Sequence, residues 1–242
     1  MKQQEMMKSF SLWMMLVLTL VLAGCRPHYK VIGENGIDAL EGRKLYLKRY
    51  ANEELVNMDS TTVQHGHFEF SGTLDSTLFA HLFVENESLM PIVLEEGEVH
   101  LKFTNEEQSL GGTPLNDSLY SFVKQKGVVD ELMHNIPHKE SALIMAGYDH
   151  DEIVRLLNAE ALQIQQISER LVSRFIKSNY NNVLGPGIFM IMTSAYEFPI
   201  MTPEIEAIVL GAPEKFLQDD YVSAYVRMAK ENTEKMNAQR HD

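Results

Sequence analysis

The chain holds a single cysteine, Cys25, in 242 residues. If that thiol is used elsewhere, disulfides, thiolate catalysis, C-x-x-C redox chemistry and Cys-ligated zinc are all closed to the rest of the protein. Positive charge is also scarce, with 21 Lys and Arg against 34 Asp and Glu and a formal net charge of −13. This balance excludes a nucleic-acid binder, which needs clustered cations. It also disfavours broad electrostatic adhesion to anionic lipid. No apolar run reaches the ~20 residues that a spanning helix requires. No G-x-S-x-G elbow, phosphate-cradling glycine loop or H-E-x-x-H pair occurs. No internal repeat or low-complexity tract is present, and no cofactor is expected.

What is present begins at the N-terminus. Lys2 and Lys8 precede an apolar block from Leu12 to Leu22, which ends in Ala23-Gly24-Cys25. A basic n-region, a short h-region and small residues form the pattern of a secretory signal. Leu22-Ala23-Gly24-Cys25 resembles the lipobox of bacterial lipoproteins, in which the cysteine is acylated and becomes the first residue of the mature chain. Multiple acyl chains, each contributing about 0.8 kcal/mol per buried CH₂, hold a protein on a membrane stably. Cleavage before Cys25 would leave 218 residues with a net charge of −14, enough for one large domain or two small ones.

The apolar period changes near residue 112. Before it, Tyr29–Gly33, Lys44–Tyr50, Leu55–Val63, His67–Leu74, Leu78–Glu85, Met90–Leu94 and Val99–Phe103 read as strands with period-two alternation. Asn35-Gly36, Glu41-Gly42, His65-Gly66 and Glu96-Gly97 mark the turns between them. After it the period is helical. Thr113-Pro114 reads as an N-cap followed by proline at the first helical position, opening a helix to about residue 126. Ile153, Leu156, Leu157, Ile164, Ile167, Leu171 and Phe175 mark an amphipathic helix over about 151–178. Further helical stretches follow at Ile188–Ala195, Pro203–Val209 and about 219–237. The expected fold is therefore α+β, with an N-terminal antiparallel β-sandwich or partly closed barrel followed by an α-helical half. The segments are 1–24 signal, 25–112 β-rich, 113–237 helical and 238–242 frayed tail.

Four segments carry a family resemblance: Asp59–Val63, Gly66–Gly72, Ile92–Gly97 and Gly112–Asp117. Together they resemble the domain of unknown function 4369, a module of Bacteroidetes lipoproteins that often precedes a thioredoxin-like domain of the thiol-disulfide interchange (AhpC/TSA) type. The resemblance covers about residues 29–122. It singles out Asp59, Gly66, Phe68, Phe70, Gly72, Glu95, Gly97, Gly112, Thr113, Pro114 and Asn116 as motif residues with a structural role. The helical remainder resembles the spacer that follows this module. The expectation is that the thioredoxin-like domain is lacking here, so the family's redox activity is not carried over.

Other candidate sites have simpler readings. His65 and His67 could share a metal on one strand face, but turn residues explain them. His134 and His138 are separated by Pro137, which breaks the helix that would align them. Asp149, Asp151 and Glu152 suit a helix N-terminus. Glu95, Glu96 and Glu98 form a carboxylate cluster at a turn. Arg43, Lys44, Lys48 and Arg49 read as a charged strand face, and Tyr46, Tyr50, Phe68, Phe70, Phe79, Phe83 and Phe103 as core.

The sequence thus supports a non-catalytic binding or interaction lipoprotein, anchored through acylated Cys25, with a protein partner or small ligand and no nucleic acid. The alternative is an accessory subunit of an envelope thiol-disulfide system that acts in trans with a separate thioredoxin-like protein. No acidic residue closely follows Cys25, which by the same resemblance suggests the periplasmic face of the outer membrane.

Overall fold

A computed structural model describes residues 27–51, 54–105 and 107–239. The expected signal segment and Cys25 lie outside the described residues. Eight strands come first: β1 (His28–Asn35), β2 (Lys44–Ala51), β3 (Glu54–Thr62), β4 (His67–Thr73), β5 (Leu78–Val84), β6 (Glu87–Leu94), β7 (Gly97–Phe103) and β8 (Gln108–Gly111). They form two four-stranded sheets, ordered β4-β1-β7-β8 and β3-β2-β5-β6. This is an open sandwich within an α+β fold.

Alternation builds the interior. Tyr29, Val31, Phe68, Phe70, Val99, Leu101 and Phe103 of the first sheet are buried, as are Leu45, Leu47, Ala80, Leu82, Ile92 and Leu94 of the second. Gly33 leaves room for the Phe68 ring, which occupies the space a Cβ there would need. Two irregularities in the second sheet, at Leu47/Lys48 and Leu82/Phe83, lie at one level because Leu47 pairs with Leu82. Bulges of this kind bend a sheet and increase its twist.

The strand alternation does not reveal two features. β8 is only four residues long. And β1 pairs antiparallel with β4 but parallel with β7, so the first sheet is mixed. A parallel neighbour needs a long crossover, and here the intervening chain builds the whole second sheet.

Seven helices follow: α1 (Pro114–His134), α2 (Ile136–Met145), α3 (His150–Ser178), α4 (Leu184–Thr193), α5 (Pro203–Val209), α6 (Glu214–Leu217) and α7 (Asp220–Gln239). α1 runs well past the expected end near residue 126, because α3 lies along it and buries Val129. α4 is apolar nearly all round and is correspondingly buried. Gly185, Pro186 and Gly187, which read as a loop, form its first turn, where proline costs no helical hydrogen bond. No described helix is long and apolar enough to cross a membrane.

Helices and sandwich share one core cluster, which runs from Val31 and Leu82 through Leu119, Ile188, Phe189 and Phe216 to Tyr225. The closest approach is at Gly187, where a Cβ would lie 2.3 Å from Cγ of Phe79. We expect Gly187→Ala to lower unfolding free energy by about 1–3 kcal/mol, the usual cost of forcing extra volume into a close-packed contact. Denaturant titration of G187A, F79L and the double variant should show that F79L recovers part of that loss.

Candidate functional site

The motif residues meet where β6, β7 and α1 converge. Thr113 sits at the N-cap of α1 with extended geometry, but its hydroxyl does not bond the helix. Glu95 takes that role from the β6–β7 turn. Its Oε1 accepts hydrogen bonds from the backbone N–H of Leu115 at 2.9 Å and of Asn116 at 3.3 Å. A carboxylate is favoured there by the helix dipole and by the unpaired first-turn N–H groups. The N-cap expectation for Thr113 is thus half met: the position is right and the capping group comes from elsewhere.

Asn116 is fully buried. Its Oδ1 accepts from Val93 N–H at 2.9 Å, and its Nδ2 donates to Val93 C=O at 2.8 Å and to the Thr113 hydroxyl at 2.8 Å. One side chain thereby satisfies both backbone groups of an edge-strand residue. Asp117 Oδ1 accepts from Gly112 N–H at 3.0 Å. Gly97 and Gly112 both have positive φ, and a Cβ on Gly112 would lie 2.5 Å from the carbonyl oxygen of Glu98. These residues form a splice between sheet and helix, with no cleft for chemistry between them.

The remaining motif residues are placed in the sandwich. Asp59 lies beside the β2–β3 bulge, with its carboxylate on the Ser60 N–H at 2.7 Å. Gly72 faces the Tyr29 ring. His65 and Gly66, both at positive φ, form a tight turn between Gln64 and His67. Glu41 clamps this turn by accepting from His65 N–H at 2.8 Å and Gly66 N–H at 3.0 Å. Those two backbone bonds hold its carboxyl below the usual range.

The other candidates separate in the same way. α1 ends at His134 and α2 starts at Ile136, so His134 and His138 lie on different helices. Asp149 caps α3 through the Asp151 N–H. Glu98 contacts His100 at 3.1 Å. Among the described residues no group of three His, Asp or Glu is arranged to hold a metal ion.

The aromatic set does not behave as one group. Phe68, Phe70 and Phe103 fill the sandwich, whereas Tyr46, Tyr50, Phe79 and Phe83 alternate onto the outer face of the second sheet. There Lys48 Nζ lies 4.4 Å from the Phe83 ring centre, and Lys44 Nζ lies 5.3 Å from that of Tyr46. Arg43 pairs with Glu85 at 2.8 Å. The expected charged strand face is therefore largely a cation–aromatic face. The period-two pattern carries both halves of the aromatic set equally, so sequence alone does not separate them.

Where α4 and α7 cover one end of this face, a cleft of about 220 Å³ remains. Arg49, Tyr50, Leu78 and Phe79 line it from the sheet, and Pro186, Met190, Asp219, Asp220 and Tyr221 from the helices. Tyr50 and Tyr221 meet edge to face at 4.8 Å. Asp219 caps α7 through Oδ1, which accepts from the N–H groups of Tyr221 and Val222. Burial nevertheless pushes its carboxyl above the usual range. The helical contributors were not singled out in the sequence, because an aspartate before a helix reads only as a cap.

With this geometry in place, the comparisons can be set beside it. Residues 29–119 match the model of a domain of unknown function, DUF4369. The match spans the whole sandwich and closes on the splice, ending at the buried Leu119. The DUF4369 region thus carries one wall of the cleft, and the helices beyond it carry the other. No curated protein matches the chain.

His81 lies on β5 between Phe79 and Phe83, with its Nε2 buried and without a hydrogen-bond partner. Burial pulls the imidazole down to about 4. An unfolded histidine titrates near 6.5, so below that pH the unfolded chain binds a proton that the native state refuses. The stability contribution is therefore complete above about pH 6.5 and is lost as pH falls toward 4. It amounts to about 3 kcal/mol at most, from the size of the shift. Thermal melts across this window should show the loss in the native chain, with a shallower slope in His81→Leu. Asn116→Ala should cost about 2–4 kcal/mol at neutral pH, since it strands buried backbone groups of Val93; urea titration measures it.

Proposed function

We propose that this protein is a non-catalytic interaction module, held on an envelope membrane through acylated Cys25 in the manner of Bacteroidetes lipoproteins. The observation that carries this reading is the concentration of exposed apolar side chains on α1, α2 and α3. Val128 is 61% exposed, Ile144 60%, Met145 83% and Leu162 55%, and Leu132, Leu156 and Ile167 add to them. α2 has no buried residue at all. Isolated exposed apolar residues need no explanation, but a contiguous patch marks an interaction surface.

The patch has a direction. Leu156, Glu160, Gln163, Ile167, Arg170 and Arg174 recur at alternating spacings of four and three along α3. They line two adjoining grooves, one against Leu143 of α2 and one against Val128 and Val129 of α1. That stripe is about 27 Å long at 1.5 Å per residue. Its apolar floor and helical period suit a protein that presents an amphipathic helix. Its basic end, at Arg170 and Arg174, favours acidic residues on that helix. The second reading, an accessory to a separate thioredoxin-like protein, differs only in the identity of the partner.

The test is purification of the lipidated protein from its own envelope in mild detergent, beside the V128E/I167E variant and Cys25→Ala. The double variant should keep its melting temperature, because both positions are exposed and such substitutions usually cost under about 0.5 kcal/mol. It should lose a partner that rebinds the native chain in purified form. Cys25→Ala should leave the membrane fraction. Unchanged partner recovery by V128E/I167E refutes the docking surface. A thioredoxin-like partner selects the second reading.

A further inference from the structure

The cleft between the DUF4369 region and the helices carries an inference that is independent of the docking surface. Its walls bear opposite charges that do not neutralise each other. Arg49 is half-buried on β2 and lines the cleft from the sheet side. The other cations of that strand have partners: Arg43 pairs with Glu85, and Lys44 and Lys48 lie over aromatic rings. The Arg49 guanidinium has neither an ion pair nor a hydrogen bond among the described residues. Asp219 and Asp220 line the opposite wall, yet neither comes within ion-pair distance of Arg49. Asp219 uses Oδ1 for the cap of α7, which leaves Oδ2 without a protein partner. Between the two charged walls lie Tyr50, Phe79, Met190 and Tyr221.

Each simple ligand class meets a penalty here. A lone anion drawn to Arg49 faces two carboxylates. A lone cation drawn to the carboxylates faces the guanidinium. A molecule that carries both charges a few bonds apart satisfies both walls, and a short hydrocarbon group on it would contact the aromatic rings. The volume of about 220 Å³ falls below that of a drug-sized site, which limits the ligand to a small solute. The carboxyl of Asp219, pushed up by burial, would regain its charged form beside an ammonium group. We infer that this cleft binds a small zwitterion of the free α-amino acid class, with the carboxylate on Arg49 and the ammonium on Asp219 and Asp220.

The experiment is calorimetric titration and thermal shift of the full-length mature protein in detergent. The probes are glycine, alanine, serine and valine at millimolar concentration, with propionate and ethylamine as the single-charge counterparts of alanine. At least one amino acid should bind and raise the melting temperature, as any ligand selective for the native state does. Propionate and ethylamine should bind at least tenfold more weakly. Arg49→Gln and Asp219→Asn should each weaken amino-acid binding at least tenfold. Asparagine caps a helix as well as aspartate, so D219N keeps the fold, and circular dichroism checks both variants. V128E/I167E should bind amino acids normally, which separates failure here from failure of the docking surface. The inference is overturned if none of the four amino acids binds, if propionate or ethylamine binds as tightly as alanine, or if R49Q leaves the affinity unchanged.

Discussion

The side chain of Asn116 joins the two halves of this protein. It meets both backbone groups of Val93 on the edge of the second sheet while forming part of the first turn of α1. An edge strand presents unpaired N–H and C=O groups, and one buried away from water must satisfy them. Here an amide with one donor and one acceptor in a plane stands in for a neighbouring strand. Glu95 then fixes the direction of the helix by holding its first N–H groups. With those two anchors set, α1 leaves the sandwich along one line, α3 returns beside it, and α4 is brought against Phe79. The cleft and the exposed apolar stripe are both downstream of that placement.

Much of the fold was legible in local chemistry. The seven strands were visible because each has one wet and one buried face. α3 and α5 were bounded closely by Asp149 and by Thr202-Pro203, which cap them. The features that could not be read are non-local. β8 is too short to show a period. The parallel β1–β7 pairing joins residues about seventy apart, and alternation is the same for either direction. α2 buries nothing, so its pattern carries no stripe. α1 extends past residue 126 only because α3 supports it.

The candidate site follows the same division. Glu95, Thr113 and Asn116 could be nominated from the resemblance, but their contacts span up to 23 residues and no spacing rule predicts them. A buried asparagine is an unusual choice for a core position, and that oddity was the available signal. Arg49 was grouped with its basic neighbours because sequence cannot say which of four adjacent cations finds a partner. The structure separates them: three are engaged and one faces the helices.

The mixed pairing of β1 has a mechanical side. β1 lies between β4 and β7, with seven register pairs on each flank. A pull on the chain ahead of His28 would run along the strand, loading both ladders in shear. Bonds sheared together resist far better than bonds peeled one at a time from an edge. A strand order with β1 at the margin would unzip under the same load. The central position of the first strand thus makes the point where the chain enters the sandwich its strongest attachment to an outside tether.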